Sequence, residues 1–204
     1  MSTSTSPRKL TIADIADQRA YERERDEFRR QIVALKRKRR VSVGPVVTLL
    51  FENRDTIRFQ IQEMARVEKL ISDEAIEGEL KVYNPLVPDP GMLCATLFLE
   101  LTEEEHLREW LPKLVGIERA VKLHIGEGDD TVEVTCIPEA SHEAQLTREE
   151  TTASVHYIWF QLTPDQIEQF AAGPVSLVID HDHYQHSTPL APETVEELLS
   201  DLRD

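Results

Sequence analysis

Cysteine is scarce in this chain: Cys94 and Cys136 are the two in 204 residues, and they are 42 positions apart. This spacing excludes a disulfide framework, a paired-cysteine zinc knuckle and a thioredoxin-type motif, and it favours reduced thiols in the cytoplasm. No run approaches the 18 apolar residues of a membrane helix, and the Ser/Thr-rich start lacks the apolar core of a signal peptide. We therefore expect a cytoplasmic protein without a membrane segment.

Short motifs of common enzymes are also missing. The sequence has no glycine-rich phosphate loop, no G-x-S-x-G elbow and no H-E-x-x-H helix. Glu103 and His106 have the E-x-x-H spacing of di-iron helices, but such a site needs a second pair and further carboxylates on facing helices, and none of the other predicted helices contains a histidine. The residues alone name no reaction, so whether the protein is an enzyme stays open.

Basic residues are the scarcer charge, 23 against 38 acidic ones, which gives a net charge of -15. A chain this acidic is not expected to bind nucleic acid non-specifically, because that needs a basic footprint. The charge is uneven, however: residues 1–70 hold 16 basic and 10 acidic side chains, and residues 71–204 hold 7 and 28. The two parts therefore carry about +6 and -21, which leaves room for a local site that binds anions.

The basic residues concentrate at the end of a helix that apolar spacing predicts over residues 18–39. We expect these cations to be placed there because the helix dipole favours positive charge at a C-terminus. The alternatives are a patch that binds phosphate, a nucleotide or an acidic partner, and a nuclear-type address. The candidate anion-binding residues are Arg29, Arg30, Lys36, Arg37, Lys38, Arg39 and Arg40.

The order of predicted elements gives the domain organisation. After a flexible tail over residues 1–9, we expect one domain over 10–204, with a mainly helical part (10–91), a sheet part (92–191) and a C-terminal helix (192–204). The helical part has helices over 18–39, 55–71 and 73–81, and a strand over 41–52 that Gly44-Pro45 interrupts.

The sheet part contains two similar β-α-β units. The first has a strand over 92–101, a helix over 103–111 capped by Thr102 and a hairpin around 126–130. The second has a strand over 153–162, a helix over 164–172 capped by Thr163 and a strand over 175–180. We predict the α+β class, with a mixed, largely antiparallel sheet of about five to seven strands and the N-terminal helices packed on one face.

Glu68 falls within the apolar stripe of the predicted helix over 55–71. A carboxylate that faces a core must pair with a cation, bind a metal or stay neutral. We expect an ion pair with an arginine of the first helix, with a ligand role as the alternative.

Histidines supply the other candidate chemistry. His181, His183 and His186, with adjacent carboxylates, could hold zinc or iron, although no fourth ligand is identifiable; a solvated loop or one acid-base histidine are the alternatives. His156 shares a strand face with Ile158 and Phe160 and is either a hydrogen-bonded core residue or a pocket residue that titrates or binds a ligand.

Several segments together resemble the bacterial domain-of-unknown-function 3501 family over about residues 10–181. The most specific are Gln60-Ile-Gln-Glu-Met64 and Tyr83-Asn-Pro-Leu86, and the other segments are 35–45, 48–52 and 154–157. The family has no established activity. Its members are encoded beside rubrerythrin-like di-iron proteins and iron-sulfur oxidoreductases that resemble heterodisulfide reductase subunits, so the resemblance implies a cytoplasmic redox or peroxide-defence setting.

The resemblance also implies a set of polar positions, and His183 and His186 depart from that family pattern. The family-like residues are Glu52, Gln60, Gln62, Glu63, Arg66, Glu68, Tyr83, Asn84, His156, Asp180 and His181. All but Glu52 are our pocket candidates, and we hypothesise one polar pocket between the 55–71 helix and the His156 strand.

Three functions follow from these observations. The leading expectation is an accessory protein that docks to a di-iron or iron-sulfur partner through its uneven charge, and homo-oligomers are possible. The alternatives are a small metal-binding protein or enzyme with a His/Glu pocket, and a protein that binds an anionic ligand such as a nucleotide through the basic helix.

Overall fold

The structure, a computed structural model, describes residues 8–139 and 151–203; most of the predicted tail (1–7) and most of the acidic segment before the second β-α-β unit (140–150) lie outside the described residues. The chain forms two compact units. The first unit comprises residues 1–38 and 52–89, and the second unit comprises residues 39–51 and 90–204. The predicted α+β class is confirmed, because six helices and two antiparallel sheets occur in the described residues.

Three helices form the first unit: α1 (Gln18–Arg39), α2 (Arg54–Glu68) and α3 (Asp73–Tyr83). Both predicted ends of α1 are confirmed, and its last residue, Arg39, belongs to the second unit. A short 3-10 turn, Ile12–Asp14, precedes α1, and the Asp14 carboxylate accepts the Thr11 N–H at its start. Another 3-10 turn, Asn84–Leu86, follows α3.

Helix α2 ends earlier than its apolar pattern predicts. Lys69 adopts a left-handed conformation with φ +56°, which terminates the helix. Ile71 is therefore outside the helix and 84% exposed. The predicted core-facing position of Glu68 is wrong, because this residue ends the helix and is exposed. The polar residues that α2 buries are Thr56 and Gln62.

Nine strands of the described residues form two sheets rather than the one expected. The five-stranded sheet has the order β1-β2-β3-β7-β6, and the four-stranded sheet has the order β5-β4-β8-β9. The strands are β1 (Arg40–Val43), β2 (Val47–Glu52), β3 (Met92–Leu99), β4 (Val121–Ile125), β5 (Val132–Thr135), β6 (Ile137–Pro138), β7 (Val155–Gln161), β8 (Val175–His181) and β9 (Tyr184–Pro189). The predicted interruption at Gly44-Pro45 is the turn of the β1–β2 hairpin.

The two β-α-β units are present and pair with each other. Strand β3, helix α4 (Glu104–Lys113) and the β4–β5 hairpin form the first; β7, helix α5 (Pro164–Ala172) and the β8–β9 hairpin form the second. Strand β3 pairs with β7 in one sheet and β4 pairs with β8 in the other, both antiparallel. Each β-α-β unit therefore contributes strands to both sheets, and the corresponding strands of the two β-α-β units are neighbours.

Two helix caps were predicted in the second unit, and one of the two is confirmed. Thr163 caps α5 by accepting the Gln166 N–H, and the Gln166 side chain accepts the Thr163 N–H, as a capping box requires. Thr102 is not a cap, because α4 starts after Glu103. The predicted C-terminal helix is α6 (Pro192–Arg203).

The apolar core of the second unit draws side chains from both sheets, among them Leu49, Leu97, Leu123, Phe160 and Leu177. Cys94 and Cys136 are both buried, and neither belongs to a disulfide. Burial raises the pKa of Cys136 to about 11, so this thiol stays protonated at neutral pH. Within the described residues, no helix combines the length and hydropathy needed to cross a bilayer.

Candidate functional site

Helix α1 carries its cations on two different faces. A stripe with alternating four- and three-residue steps faces inward, and its members are Tyr21, Arg25, Phe28, Ile32, Leu35 and Arg39. All six are buried or half-buried, because residues at this spacing share one side of a helix. Two arginines therefore lie on the packed stripe, and their charges need partners within the fold.

Arg39 is fully buried, which corrects its assignment to a surface anion site. Its Nε donates to the Phe51 carbonyl at 2.9 Å, and its Nη1 donates to Glu197 of α6 at 3.1 Å. Its Nη2 donates to Asp201, one turn further along α6. The guanidinium is thus a structural tie between the end of α1, β2 and α6, and it is closed to an external anion.

Arg25 and Tyr21 converge on Glu63 of α2. Arg25 donates from Nε and Nη2 to the two carboxylate oxygens at 2.8 and 2.9 Å, and the Tyr21 hydroxyl donates to Oε1 at 2.6 Å. The Arg25 hydrogen bonds lower the pKa of Glu63 to about 2, and burial raises the pKa of Tyr21. The expected pairing of an α2 carboxylate with a first-helix arginine is therefore made by Glu63 and not by Glu68.

The opposite side of α1 presents what we call the basic face: Arg29, Arg30, Val33, Ala34 and Arg37. These residues are all exposed. Arg29 and Arg37 have no hydrogen-bond or ion-pair partner among residues 8–139 and 151–203, and Arg30 makes an exposed pair with Glu27. Such pairs contribute little to stability and exchange readily. The basic face thus holds three guanidinium groups available to an anion.

The remaining anion-binding candidates are engaged to different degrees. The Lys36 ammonium lies 5.7 Å from the centre of the Phe59 ring. Arg40 pairs with Glu100 and lies over the Phe98 ring. Lys38 is exposed. The fold therefore uses part of the basic run, and the basic face is what is left for binding.

Two amide side chains of the family-like motifs hold the segment before α1. Gln62 Oε1 accepts the Ala16 N–H at 2.7 Å, and its Nε2 donates to the Ala16 carbonyl at 3.2 Å. Asn84 binds the N–H and the carbonyl of Leu10 in the same two-sided way, at 2.8 Å each. These residues therefore act as clamps on the backbone, which explains why their amides are needed.

The other first-unit candidates have simpler surroundings. Arg66 Nε donates to Glu22 of α1 at 2.6 Å. Gln60 and Tyr83 are half-buried. Glu68 is exposed, and its negative charge, together with burial, raises the pKa of the nearby Glu79.

A cavity of about 150 Å³ opens in the first unit beside Gln62 and Arg66. Its walls are mainly apolar and come from the segment before α1, from α1 and α2, and from the start of α3. The lining residues are Ile12, Ile15, Ala16, Asp17, Gln18, Tyr21, Gln62, Ala65, Arg66, Leu70, Ile71, Asp73 and Ile76. Sequence patterns did not reveal this cavity, because its walls come from four separate segments.

His156 is a buried residue of β7 with its hydrogen-bonding capacity in use. Its Nε2 lies 2.9 Å from both the Thr152 hydroxyl and the Ala153 carbonyl. A proton on Nε2 can be donated to the carbonyl, which is the arrangement expected of a hydrogen-bonded core histidine.

The histidine-rich segment forms the β8–β9 hairpin, with Asp182 and His183 in its turn. His181 Nε2 bonds the Val115 carbonyl at 3.0 Å, and its Nδ1 accepts the His183 N–H, so both ring nitrogens are engaged. The His186 ring packs against Tyr184, and Asp180 lies 3.4 Å from the Lys122 ammonium. In the part of the chain that is described, no three His, Cys, Asp or Glu residues form a group suited to a metal ion.

The candidate pocket residues are thus divided between the units. Seven of the ten, from Gln60 to Asn84, belong to the first unit, and His156, Asp180 and His181 belong to the second.

The sequence contains a signal for the inward position of Arg39. This residue continues the apolar stripe of α1, three residues from Ile32 to Leu35 and four from Leu35 to Arg39.

Comparisons with known proteins give a family without an assigned function. The model of the family "Protein of unknown function (DUF3501)" matches residues 9–202. A crystal structure from Burkholderia pseudomallei K96243, described as a novel protein of unknown function, is 36% identical, with a TM-score of 0.85 over 95% of this chain and 99% of that one. No curated protein matches the chain.

Proposed function

The chain belongs to the DUF3501 family of unknown function, and from that premise we propose that it is an accessory binding protein that docks an acidic protein partner through the basic face of α1. In the setting that the resemblance implies, the partner is a rubrerythrin-like di-iron protein or an iron-sulfur oxidoreductase of the cytoplasm. The observation that carries the proposal is the contrast within α1 between arginines used by the fold and arginines left exposed.

That contrast can be stated residue by residue. Arg25 and Arg39 are bound by carboxylates of the same chain, whereas Arg29 and Arg37 have no partner in the described residues. Guanidinium groups bind carboxylates through two parallel hydrogen bonds, and arginine is enriched at protein interfaces. Val33 lies between these arginines and is 46% exposed, which supplies an apolar contact.

The distribution of charge between the units supports the same surface. The first unit holds 15 basic and 15 acidic side chains, and the second unit holds 8 and 23, so the net charge of -15 resides in the second unit. An acidic partner is repelled by the second unit and attracted to the basic face. Like-charge repulsion disfavours an acidic partner at the surface of the second unit itself.

The experiment measures binding to a co-encoded rubrerythrin-like protein by biolayer interferometry. The test variant is R29Q/R30Q/R37Q, and the matched control is R108Q/K113Q, which removes cations from exposed intrahelical pairs of α4. We expect the triple variant to bind at least about tenfold more weakly, since a lost charge-assisted contact costs about 1.5–3 kcal/mol, and the control to bind as the wild type does.

Salt gives a second readout. Wild-type affinity should fall as ionic strength rises, because the Debye length shortens from about 30 Å at 0.01 M to about 8 Å at 0.15 M, and the triple variant should lose most of this dependence. Failure of the co-encoded protein to bind at low salt would contradict the proposal. Stabilisation by ATP or polyphosphate through the same arginines, without protein binding, would instead assign the face to a small anionic ligand.

A further inference from the structure

The cavity of the first unit has apolar walls, and three charged side chains also line it: the cation Arg66 and the carboxylates Asp17 and Asp73. Ile15, Ala65 and Ile76 are among the apolar walls, and the aromatic side chain of Tyr21 is fully buried beside them. Arg66 and Asp73 also line the cavity, yet Asp73 is exposed and the Arg66 side chain is 34% exposed. This places their charges where solvent meets the cavity.

Most polar groups around the cavity are already used by the fold. Gln62 is bound at both ends to Ala16, and the Tyr21 hydroxyl donates to Glu63. Asp17 caps α1 by accepting the N–H groups of Arg19 and Ala20. These contacts hold the cavity in shape. Asp17 uses only Oδ1 in this cap, so its second oxygen can still accept a hydrogen bond from a ligand.

Arg66 and Asp73 also keep unused hydrogen-bonding capacity. Arg66 engages Glu22 through Nε, and its two Nη groups have no hydrogen-bond partner in the described residues. Asp73 has neither a hydrogen bond nor an ion pair in the same part of the chain. One cavity thus offers a guanidinium edge for a carboxylate, a carboxylate for an ammonium group and apolar walls for an alkyl body.

We propose that this cavity binds a free apolar α-amino acid such as valine or leucine. Arg66 takes the α-carboxylate, Asp73 takes the α-ammonium group, and the side chain enters the apolar interior. The size agrees, since a cavity of about 150 Å³ accommodates about six carbon atoms, as benzene binding shows. Larger side chains such as that of tryptophan are excluded by the same volume.

The ligand's two charges both matter to this assignment. A simple carboxylate would leave Asp73 without a partner beside a second negative charge, and a simple amine would sit against Arg66. A zwitterionic amino acid places its carboxylate against Arg66 and its ammonium group against Asp73. This arrangement avoids both of the like-charge contacts described above. The proposal is independent of docking by the basic face, because it uses different residues.

The test is a titration of the full chain with L-valine and L-leucine, followed by thermal shift and by amide NMR shifts at Ile12, Ala65 and Ile76. We expect saturable binding with a Kd on the order of 0.1 mM, given about eight heavy atoms per ligand. Valinamide, which lacks the carboxylate, and N-acetylvaline, which lacks the ammonium group, should each bind at least tenfold more weakly. These analogues test the proposal on the unaltered protein.

Variants then test the two residues. R66Q should lose the preference for valine over valinamide, and D73N should lose the preference for valine over N-acetylvaline. The matched control is E74Q, which removes the neighbouring carboxylate of α3 that does not line the cavity and should bind as the wild type does. Absence of saturable binding by either amino acid, or equal affinity for valine and both analogues, would overturn the proposal. The R29Q/R30Q/R37Q variant should retain valine binding, so the two proposals fail separately.

Discussion

Replacing Arg39 by methionine should destabilise the second unit more than any other single change of a charge on α1. The substitution keeps an unbranched apolar side chain in the site but removes the donors to the Phe51 carbonyl, Glu197 and Asp201. Arg39 is fully buried, and the side chains of Glu197 and Asp201 are 20% and 12% exposed. The Glu197 and Asp201 carboxylates and the Phe51 carbonyl then lose the guanidinium donor in a place that water reaches poorly.

The magnitude follows from this geometry. Removing one partner of a buried ion pair costs about 3–5 kcal/mol, and the residual exposure of both carboxylates lets water recover part of it, so we expect about 3 kcal/mol. In a protein of this size that corresponds to a fall in Tm of roughly 6–12 °C. Trp110 and Trp159 both lie in the second unit and report its urea unfolding by fluorescence.

Two further variants test the physical reason. R29M removes an arginine from the exposed side of the same helix and should change the free energy of unfolding by no more than about 0.5 kcal/mol. R39M/E197Q/D201N removes the orphaned charges as well and should be more stable than R39M alone, because an uncompensated buried charge causes most of the loss. A cost for R39M below about 1 kcal/mol, or a triple variant less stable than R39M, would refute the reasoning.

Three other perturbations have defined outcomes. Gly44 has φ +72°, and a Cβ there would lie 2.5 Å from the His186 ring and the Tyr184 hydroxyl. G44A should therefore lower the free energy of unfolding in urea by about 2–4 kcal/mol. The control is G116A, whose Cβ would meet no atom within 4 Å and which should cost about 1 kcal/mol. The pKa of Glu63 is about 2 in the folded chain and about 4.5 unfolded, so its stabilisation is present above pH 4.5 and is lost as pH falls toward 2. E63Q should therefore be about 1–2 kcal/mol less stable than the wild type at pH 7, after allowance for solvent screening, and equal to it near pH 2; a constant difference across this range would contradict the assignment. T163A should cost about 1 kcal/mol by loss of the α5 cap, T163S should retain the cap, and T102A should have no effect on helix content measured by circular dichroism.

Local patterns in the sequence were sufficient to predict those helices and strands whose ends are set by nearby residues. The spacing of Tyr21, Phe28, Ile32 and Leu35 predicts α1 with both of its ends, and Thr163-Pro164 predicts the start of α5. Alternating apolar residues around Gly126 predict the β4–β5 hairpin. In each case the signal is a side-chain period or a cap within a few residues of the element that it defines.

Candidate site residues were harder to predict, because their partners are distant in sequence. The apolar pattern predicts a core-facing Glu68 because it extends the helix to Ile71, but the left-handed Lys69 ends the helix before that stripe is complete. Glu63 was a candidate, but its contacts with Tyr21 and Arg25 span about 40 residues. A solvated loop was one interpretation of the histidine-rich segment, whereas this segment forms the β8–β9 hairpin with its turn at Asp182 and His183.

The sequence by itself determined the composition of charge, the helical and strand periods, the α+β class and the resemblance to an uncharacterised family. The apolar stripe of α1 places Arg39 on the packed side, but tertiary structure decided which groups bind it: Glu197 and Asp201 belong to a helix about 160 positions away. It also decided where the net charge lies and where a cavity forms. The physical reason is that periodicity is a local property, whereas burial of a charge and closure of a cavity depend on side chains that folding brings together from separate segments.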